Sequence, residues 1–121
     1  MIIYLAAPWA RKETACEVAR YLETSGFTIA SRWLREHKDS TIHEELQEEA
    51  LNDLIDIETS EALVLLNLEK SEGKATELGY AYKCQIPCIV VGPSTGNVFY
   101  HLPGVRVVDT IEQAILILNT L

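Results

Sequence analysis

Short runs of consecutive apolar residues alternate along the chain with longer stretches whose apolar positions recur every three or four residues. The first run, Ile2-Ile3-Tyr4-Leu5-Ala6, is β-branched and aromatic and is closed by Ala7-Pro8, the pattern of a strand buried on both faces. Comparable runs at 27–30, 62–66, 87–91 and 105–108 predict four more strands. After the first strand, Ala15, Val18, Ala19, Tyr21 and Leu22 lie at helical spacing up to Gly26, which stands where a helix C-cap belongs. Residues 31–38 read as a polar and aromatic loop. A long acidic helix follows, capped by Asp39 or Ser40, with Ile42, Leu46, Ala50, Leu54 and Ile57 as its apolar members. Another helix runs from the loop 67–71 through about Cys84, and 110–118 forms a closing helix with Ala114, Ile115 and Leu118 on one face.

Continuous apolar strands separated by amphipathic helices imply a parallel sheet covered on both faces, with right-handed crossovers. Five such alternations in 121 residues predict an α/β fold, a flavodoxin-like doubly wound five-stranded parallel sheet with helices on both faces, as one domain over residues 1–121. There is no repeat, low-complexity tract or linker, and a chain of this length buries a core without a metal or disulfide staple. No cofactor is called for. The net charge of −8 repels a phosphate backbone, so a nucleic acid polymer is not an expected partner. Single nucleotides stay open, because a few helix N-terminal amides hold a small anion whatever the net charge. Residues 1–10 are apolar but lack a preceding basic region, and they read as strand rather than signal peptide. No run has the length of a membrane span. Cys16, Cys84 and Cys88 are odd in number, which points to reduced thiols and a cytoplasmic location, and Cys84 and Cys88 miss the C-x-x-C spacing and read as two core-facing thiols.

In an open parallel sheet the ligand crevice lies beyond the carboxyl ends of the strands, near the point where strand order reverses. That rule selects the loops 7–12, 31–38, 67–74 and 92–104, which carry Trp9, Arg11, Arg32, Trp33, His37, Ser71, Asn97, Phe99, Tyr100 and His101. Aromatic faces, amides and a few cations suit a flat polar heterocycle such as a nucleobase. The sharpest local pattern is Gly73-Lys74-Ala75-Thr76-Glu77-Leu78-Gly79-Tyr80-Ala81, a small-residue turn entering a helix with an early carboxylate. Gly73 stands four positions before Glu77, so the missing side chain leaves a gap on the same helix face into which a substrate fits. Read from the residues alone, Glu77 is equally a surface carboxylate with Gly79 a packing point. His37 and His43 have no carboxylate or thiol at a ligand spacing, so no metal is expected.

Tyr4-Leu5-Ala6-Ala7-Pro8, Asn52-Asp53-Leu54, residues 73–81, and Gly92-Pro93 with Asn97-Val98-Phe99 together resemble the nucleoside 2-deoxyribosyltransferase family, including its nucleoside 5′-monophosphate N-glycosidase relatives. The likeness runs through nearly the whole chain in order. It implies cleavage of the N-glycosidic bond between a (deoxy)ribose and a base, with Glu77 as the nucleophile at the anomeric carbon. The chemistry is sound on its own terms: the base leaves through an oxocarbenium-like state, and a carboxylate beneath that carbon stabilises the charge and then traps it. If a second base accepts the sugar the enzyme is a transferase; if water does, a hydrolase.

The resemblance further implies that the Tyr4 hydroxyl orients Glu77, a donor that favours the ionised carboxylate. Asp53 matches the carboxylate beside the nucleophile, with Asp56 the substitute if the register differs by a turn. Arg32, Trp33 and His37 fall where such enzymes build the base pocket, and Asn97, Phe99 and Tyr100 match a segment that reaches a neighbouring chain, implying a homodimer or larger homo-oligomer. Two departures stand out. Ser71 replaces the acidic residue usual six positions before the nucleophile in base-exchanging members; in the monophosphate hydrolases a serine there contacts phosphate. The first loop nevertheless lacks those hydrolases' Gly-Ser phosphate loop, although Arg11 and Lys12 are cations that stand in it. Ser60-Glu61-Ala62 departs from the family's usual Ala-Asp and bears on capping. A phosphoribohydrolase of the lysine-decarboxylase-like group is disfavoured by the absence of Pro-Gly-Gly-x-Gly-Thr. A non-catalytic nucleotide sensor, in which Glu77 only holds a ribose hydroxyl, is the reading from a different class.

Overall fold

In the computed structural model, which describes residues 1–36, 40–93 and 96–121, five parallel strands form one sheet in the order β2-β1-β3-β4-β5. They are β1 (Ile2–Ala6), β2 (Thr28–Ile29), β3 (Ala62–Leu66), β4 (Cys88–Val91) and β5 (Arg106–Val108). The helices are α1 (Lys12–Thr24), a single turn α2 (Trp33–Glu36), α3 (His43–Glu58), α4 (Glu72–Lys83) and α5 (Ile111–Leu118), with 3-10 turns at Trp9–Arg11 and Val98–His101. Tyr4 pairs with Leu63, and Leu65 with Val90, so the central strands run in close register.

The unbroken apolar strands follow from two separate cores. Ile3, Leu5, Val64 and Ile89 face α1 and α5 through Ala15, Leu22, Ala114 and Leu118. Tyr4, Ala6, Leu63, Leu65 and Val90 face the other way, onto Ile57 of α3 and Leu78 and Ala81 of α4. Alternate residues of a strand point to opposite faces, so a strand covered on both sides must be apolar at every position. Strand order reverses between β1 and β3, and the carboxyl ends there form the switch-point crevice.

Four local expectations change. The second strand is two residues long, because Ser31, fully buried, takes over its hydrogen bonding: its hydroxyl accepts the Leu5 N–H at 2.7 Å and donates to the Leu5 carbonyl at 3.2 Å. The segment read as loop contains α2. Ser40 does not cap α3, which begins after Ile42 without a side-chain cap; its hydroxyl instead accepts the Ile42 N–H at 3.0 Å and bonds Glu45. Asp39, like His37, lies outside the described residues. The fourth change is the stripe of α3. Ile42, Leu46 and Ala50 are exposed, Leu54 is half-buried, and only Ile57 of the predicted set is fully buried. Sixteen residues make a helix about 24 Å long, whereas a five-residue strand covers about 17 Å, so the first turns of α3 overhang the sheet. Tyr21 of α1 also points outward.

The predicted caps hold elsewhere. Gly26, at φ 98°, follows α1, and Phe27 N–H reaches back to the Leu22 carbonyl at 3.1 Å. Glu61, at the family departure, accepts the Ile2 N–H at 3.0 Å and ties the start of β1 to β3. Among the described residues no helix is long and apolar enough to cross a membrane, and no group of three or more His, Cys, Asp or Glu side chains is placed to hold a metal ion.

Candidate active site

Tyr4 stands on the face of β1 that looks toward α3 and α4, and a buried phenol needs a partner for its hydroxyl. The hydroxyl donates to Glu77 Oε2, in the second turn of α4, and Asp53 of α3 lies close enough for its charge to act on both groups. Three elements thus bring together the three residues singled out as catalytic candidates.

The electrostatics of this cluster decide its protonation. Burial pushes Glu77 up to about 8; the Tyr4 hydrogen bond works against that rise and the nearby Asp53 charge adds to it. The expectation that Tyr4 keeps Glu77 ionised is therefore outweighed by desolvation in the empty site. Asp53 rises to about 6, again through burial first, then Asp56 and Glu49, with Tyr4 and Arg32 opposing. Tyr4 itself is held far above its ordinary range by burial and by the charges of Glu77 and Asp53, so it stays a donor. At neutral pH the two carboxyls hold close to one proton between them, the state that an acid and a nucleophile working in sequence require.

Arg32 is placed differently from the base-pocket expectation. Its Nε donates to both Asp56 oxygens at 2.9 and 3.1 Å, its N–H donates to Asp56 Oδ2 at 3.0 Å, and Nη2 reaches the Asn52 carbonyl at 3.4 Å. The guanidinium clamps the end of α3 rather than offering an edge to a base. The same clamp takes up Asp56, which is 6% exposed, so Asp53 is the α3 carboxylate left to meet Tyr4. Trp33 donates its indole N–H to the Leu5 carbonyl at 2.9 Å, which fixes the ring at the end of β1. Trp9 lies 6.4 Å away at a 57° tilt, with Lys12 Nζ 4.9 Å from its ring centre. The two indoles form an aromatic corner beside the carboxyl end of β1, and Lys12 is spent on Trp9.

At the N-terminus of α4, Ser71 accepts the Lys74 N–H and caps the helix. A cavity of about 400 Å³ opens there, lined by Asn67, Ser71, Lys74, Asn97 and Tyr100 among others. At Gly73 an added Cβ would touch only Ser71 Oγ, at 3.8 Å, so the face before Glu77 is open as predicted; Gly79 has nothing within 4 Å and is no packing point. Asn97 accepts the Phe99 N–H at 2.9 Å. Tyr100 does not reach outward: it is 2% exposed and packs in its own core, whereas Val98 and Phe99 are 73% and 60% exposed. Of the cavity residues outside the predicted set, Asn67 and Lys74 are the buried polar ones. Asn67 sits at the carboxyl end of β3, a position the crevice rule points to, and its amide donates to the Pro93 carbonyl. Lysines read as surface residues, and only the three-residue spacing of Lys74 from Glu77 marked it.

No family model matches the chain, and no curated protein does. The solved structures are more informative. A 2-deoxyribosyltransferase from the psychrotolerant bacterium Bacillus psychrosaccharolyticus superposes with a TM-score of 0.69 at 20% identity, covering 94% of this chain and 90% of the other. The Clostridium botulinum CMP N-glycosidase BcmB matches over the full length of both chains, with a TM-score of 0.65 at 17% identity. A conserved protein from Enterococcus faecalis V583 gives 0.69 at 17% identity over 96% and 94%. The chain therefore has the flavodoxin-like α/β fold that these three share.

Proposed function

We propose that the chain cleaves the N-glycosidic bond of (2′-deoxy)ribonucleosides or nucleotides through a covalent glycosyl-Glu77 intermediate and passes the deoxyribosyl group to an acceptor base. The observation that carries this reading is the hydrogen bond from the Tyr4 hydroxyl to Glu77 at the switch point of the sheet, with the Asp53 charge beside it. The fold neighbours support it, since one is named a 2-deoxyribosyltransferase and another a CMP N-glycosidase.

In the first half-reaction Glu77 bonds to C1′ as the C1′–N bond breaks and its electron pair leaves with the base. The departing nitrogen takes the proton that the carboxyl pair held, delivered from the Asp53 side. In the second, a nitrogen of the acceptor base attacks C1′, the Glu77 ester bond breaks, and the acceptor's proton returns to the pair. Water in place of the acceptor gives hydrolysis, the alternative reading, in which a 5′-monophosphate is the substrate. Trp9 and Trp33 offer ring faces to the base, while Ser71, Gly73, Asn97 and Tyr100 surround the sugar end.

Incubating the protein with deoxynucleosides and their monophosphates, with and without a free base, separates the readings. Exchange that needs an acceptor supports transfer, release in buffer supports hydrolysis, and binding without turnover supports a nucleotide sensor. Glu77→Ala is expected to lower turnover by several powers of ten with an unchanged circular dichroism spectrum, because a covalent nucleophile has no substitute; an active variant refutes the mechanism. A second copy of the chain closes the site, consistent with the exposure of Val98, Phe99, Leu51 and Ile55. Phe99→Glu is then expected to lower the sedimentation mass of the assembly, and a wild-type monomer at assay concentration contradicts the pairing. The three cysteines are unpaired, which fits a reducing, cytoplasmic compartment; Cys88 is buried as expected, whereas Cys84, at the end of α4, is exposed rather than core-facing.

A further inference from the structure

Residues 31–33 tie β1 to α3 at the level of the candidate site. Ser31 hydrogen-bonds both backbone groups of Leu5, and the Trp33 indole donates to the Leu5 carbonyl at 2.9 Å, so the segment is fixed to the residue that follows Tyr4. Arg32, between them, turns to α3 instead. Its backbone N–H and its Nε meet the Asp56 carboxylate at 2.9 to 3.1 Å, and Nη2 reaches the Asn52 carbonyl at 3.4 Å. Asn52 immediately precedes Asp53, and Asp56 follows it by three residues. The guanidinium therefore grips α3 on either side of the candidate acid.

The grip matters because little else seats this helix. The first turns of α3 overhang the sheet, Leu46, Leu51 and Ile55 are exposed, and its buried residues are Asp56 and Ile57, near its end. A buried carboxylate needs a cation in fixed geometry, and the planar guanidinium fork supplies two bonded directions at once. The charges are matched to the same end. Asp53 is raised by burial first and then by Asp56 and Glu49 of its own helix, while Tyr4 of β1 and Arg32 oppose that rise. Glu77 of α4 in turn feels the Asp53 charge. Arg32 is the one cation in this set, and it sits on the carboxylate whose charge raises Asp53 most.

Building on the N-glycosidase reading, we infer that Arg32 is a positioning residue for the reaction: by gripping Asp56 and the Asn52 carbonyl it holds the turn of α3 that carries Asp53 beside Tyr4 and Glu77, and it offsets the Asp56 charge there. It does so without touching the substrate. Removing the guanidinium frees the end of α3 to shift against β1 and leaves the Asp56 charge to act on Asp53 unopposed. A displacement of about 1 Å in a group that must meet the leaving base costs up to roughly a hundredfold in rate. Both effects fall on the chemical step and not on substrate binding.

Base release is followed for wild type, Arg32→Met, Arg32→Lys, Asp56→Asn and the double variant Arg32→Met/Asp56→Asn. Each is measured as kcat and KM at the pH optimum and as kcat/KM from pH 5 to pH 10, with circular dichroism reporting on folding. Arg32→Met is expected to lower kcat by about ten- to a hundredfold with little change in KM. It should also move the rising limb of the profile, at about 6 in wild type, to higher pH. Asp56→Asn moves that limb to lower pH, and the double variant, which leaves neither charge unpaired, falls between the two while its kcat stays low. Arg32→Lys keeps the limb near its wild-type position but restores kcat only in part, because an ammonium lacks the planar fork. Should Arg32→Met fail to fold, the double variant set against Asp56→Asn carries the same comparison. The inference is overturned by a limb that none of the variants moves, by a wild-type kcat in Arg32→Met, or by a loss that lies wholly in KM, which would put Arg32 on the substrate. If wild type cleaves neither nucleosides nor nucleotides, the N-glycosidase reading fails by itself. Titration of the Asp53 carboxyl carbon by NMR then decides whether Arg32 governs that carboxylate: a midpoint higher in Arg32→Met than in wild type supports it, and equal midpoints overturn it.

Discussion

Replacing Tyr4 by phenylalanine removes one hydroxyl from the candidate site and leaves the core contacts of the ring in place. Its largest expected consequence is on Glu77. The Tyr4 hydrogen bond is the one effect that lowers the Glu77 value, against burial and the Asp53 charge that raise it to about 8. At pH 7 a carboxyl of that value is ionised in about one molecule in ten, and each further unit upward cuts the reactive fraction by about tenfold. Loss of the orienting bond adds roughly ten- to a hundredfold of its own, so the variant is expected to lose ten- to a thousandfold in kcat/KM at pH 7. Because the mechanism draws on the single proton of the pair, the rate should also fall once that proton is lost, and a higher Glu77 value moves this fall upward in pH. The assay is base release by chromatography from pH 5 to pH 10, with wild type run in parallel. The wild-type profile should be a bell that rises through about 6 and falls through about 8, and the variant's falling limb should lie at higher pH. A variant with wild-type rate and an unmoved profile refutes the role given to the Tyr4 hydroxyl. A loss that is uniform with pH leaves orientation as the whole effect and refutes the electrostatic part.

Two predictions concern stability. Between the ordinary glutamate value of 4.5 and about 8, the folded chain keeps a proton on Glu77 that the unfolded chain has released, so folding weakens as pH rises through that window. Asp53 makes the same kind of contribution only up to about 6, which leaves the interval from pH 6 to pH 8 to Glu77. Glu77→Gln should therefore melt at a temperature less sensitive to pH over that interval than wild type, and equal slopes for the two proteins would contradict the raised value. Ser31→Ala strips the buried partner of both Leu5 backbone groups, and it should lower the urea-unfolding free energy by about 1 to 3 kcal/mol; a change within error would mean that water replaces the hydroxyl.

The sheet was readable because its physics is redundant: the apolar runs of β1, β3 and β4, each between turn or cap residues, allow no register in which a strand face is wet, and only the edge strands β2 and β5 keep exposed positions such as Thr28 and Arg106. Glu77 and Tyr4 were readable only through the family resemblance. The residues alone left Glu77 open as a surface carboxylate and gave the strand tyrosine no partner, because the two meet across 73 positions of the chain. What escaped is what depends on distances between elements. Arg32 stood in the correct loop, yet nothing in its neighbours showed that Asp56, 24 residues away, would take its guanidinium. The apolar stripe of α3 has a helical period that predicts burial, and only the lengths of the strands beneath it decide which turns are covered. Tyr100 sat beside two exposed residues in one short 3-10 turn, whose tight geometry sends one side chain inward and its neighbours out. Lys74 was hidden because a lysine in a helix is ordinarily a surface residue, and its burial follows from Tyr100 turning in to meet it.

The proposed mechanism turns on one balance of charge: Glu77 and Asp53 hold their proton because burial at the switch point outweighs the Tyr4 hydroxyl that favours its release. A cationic transition state placed over Glu77 reverses that balance, since a positive C1′ favours the ionised form that burial had penalised. The desolvation that keeps Glu77 protonated in the empty site is thus the same property that makes it strongly attractive to the developing charge once the sugar is bound.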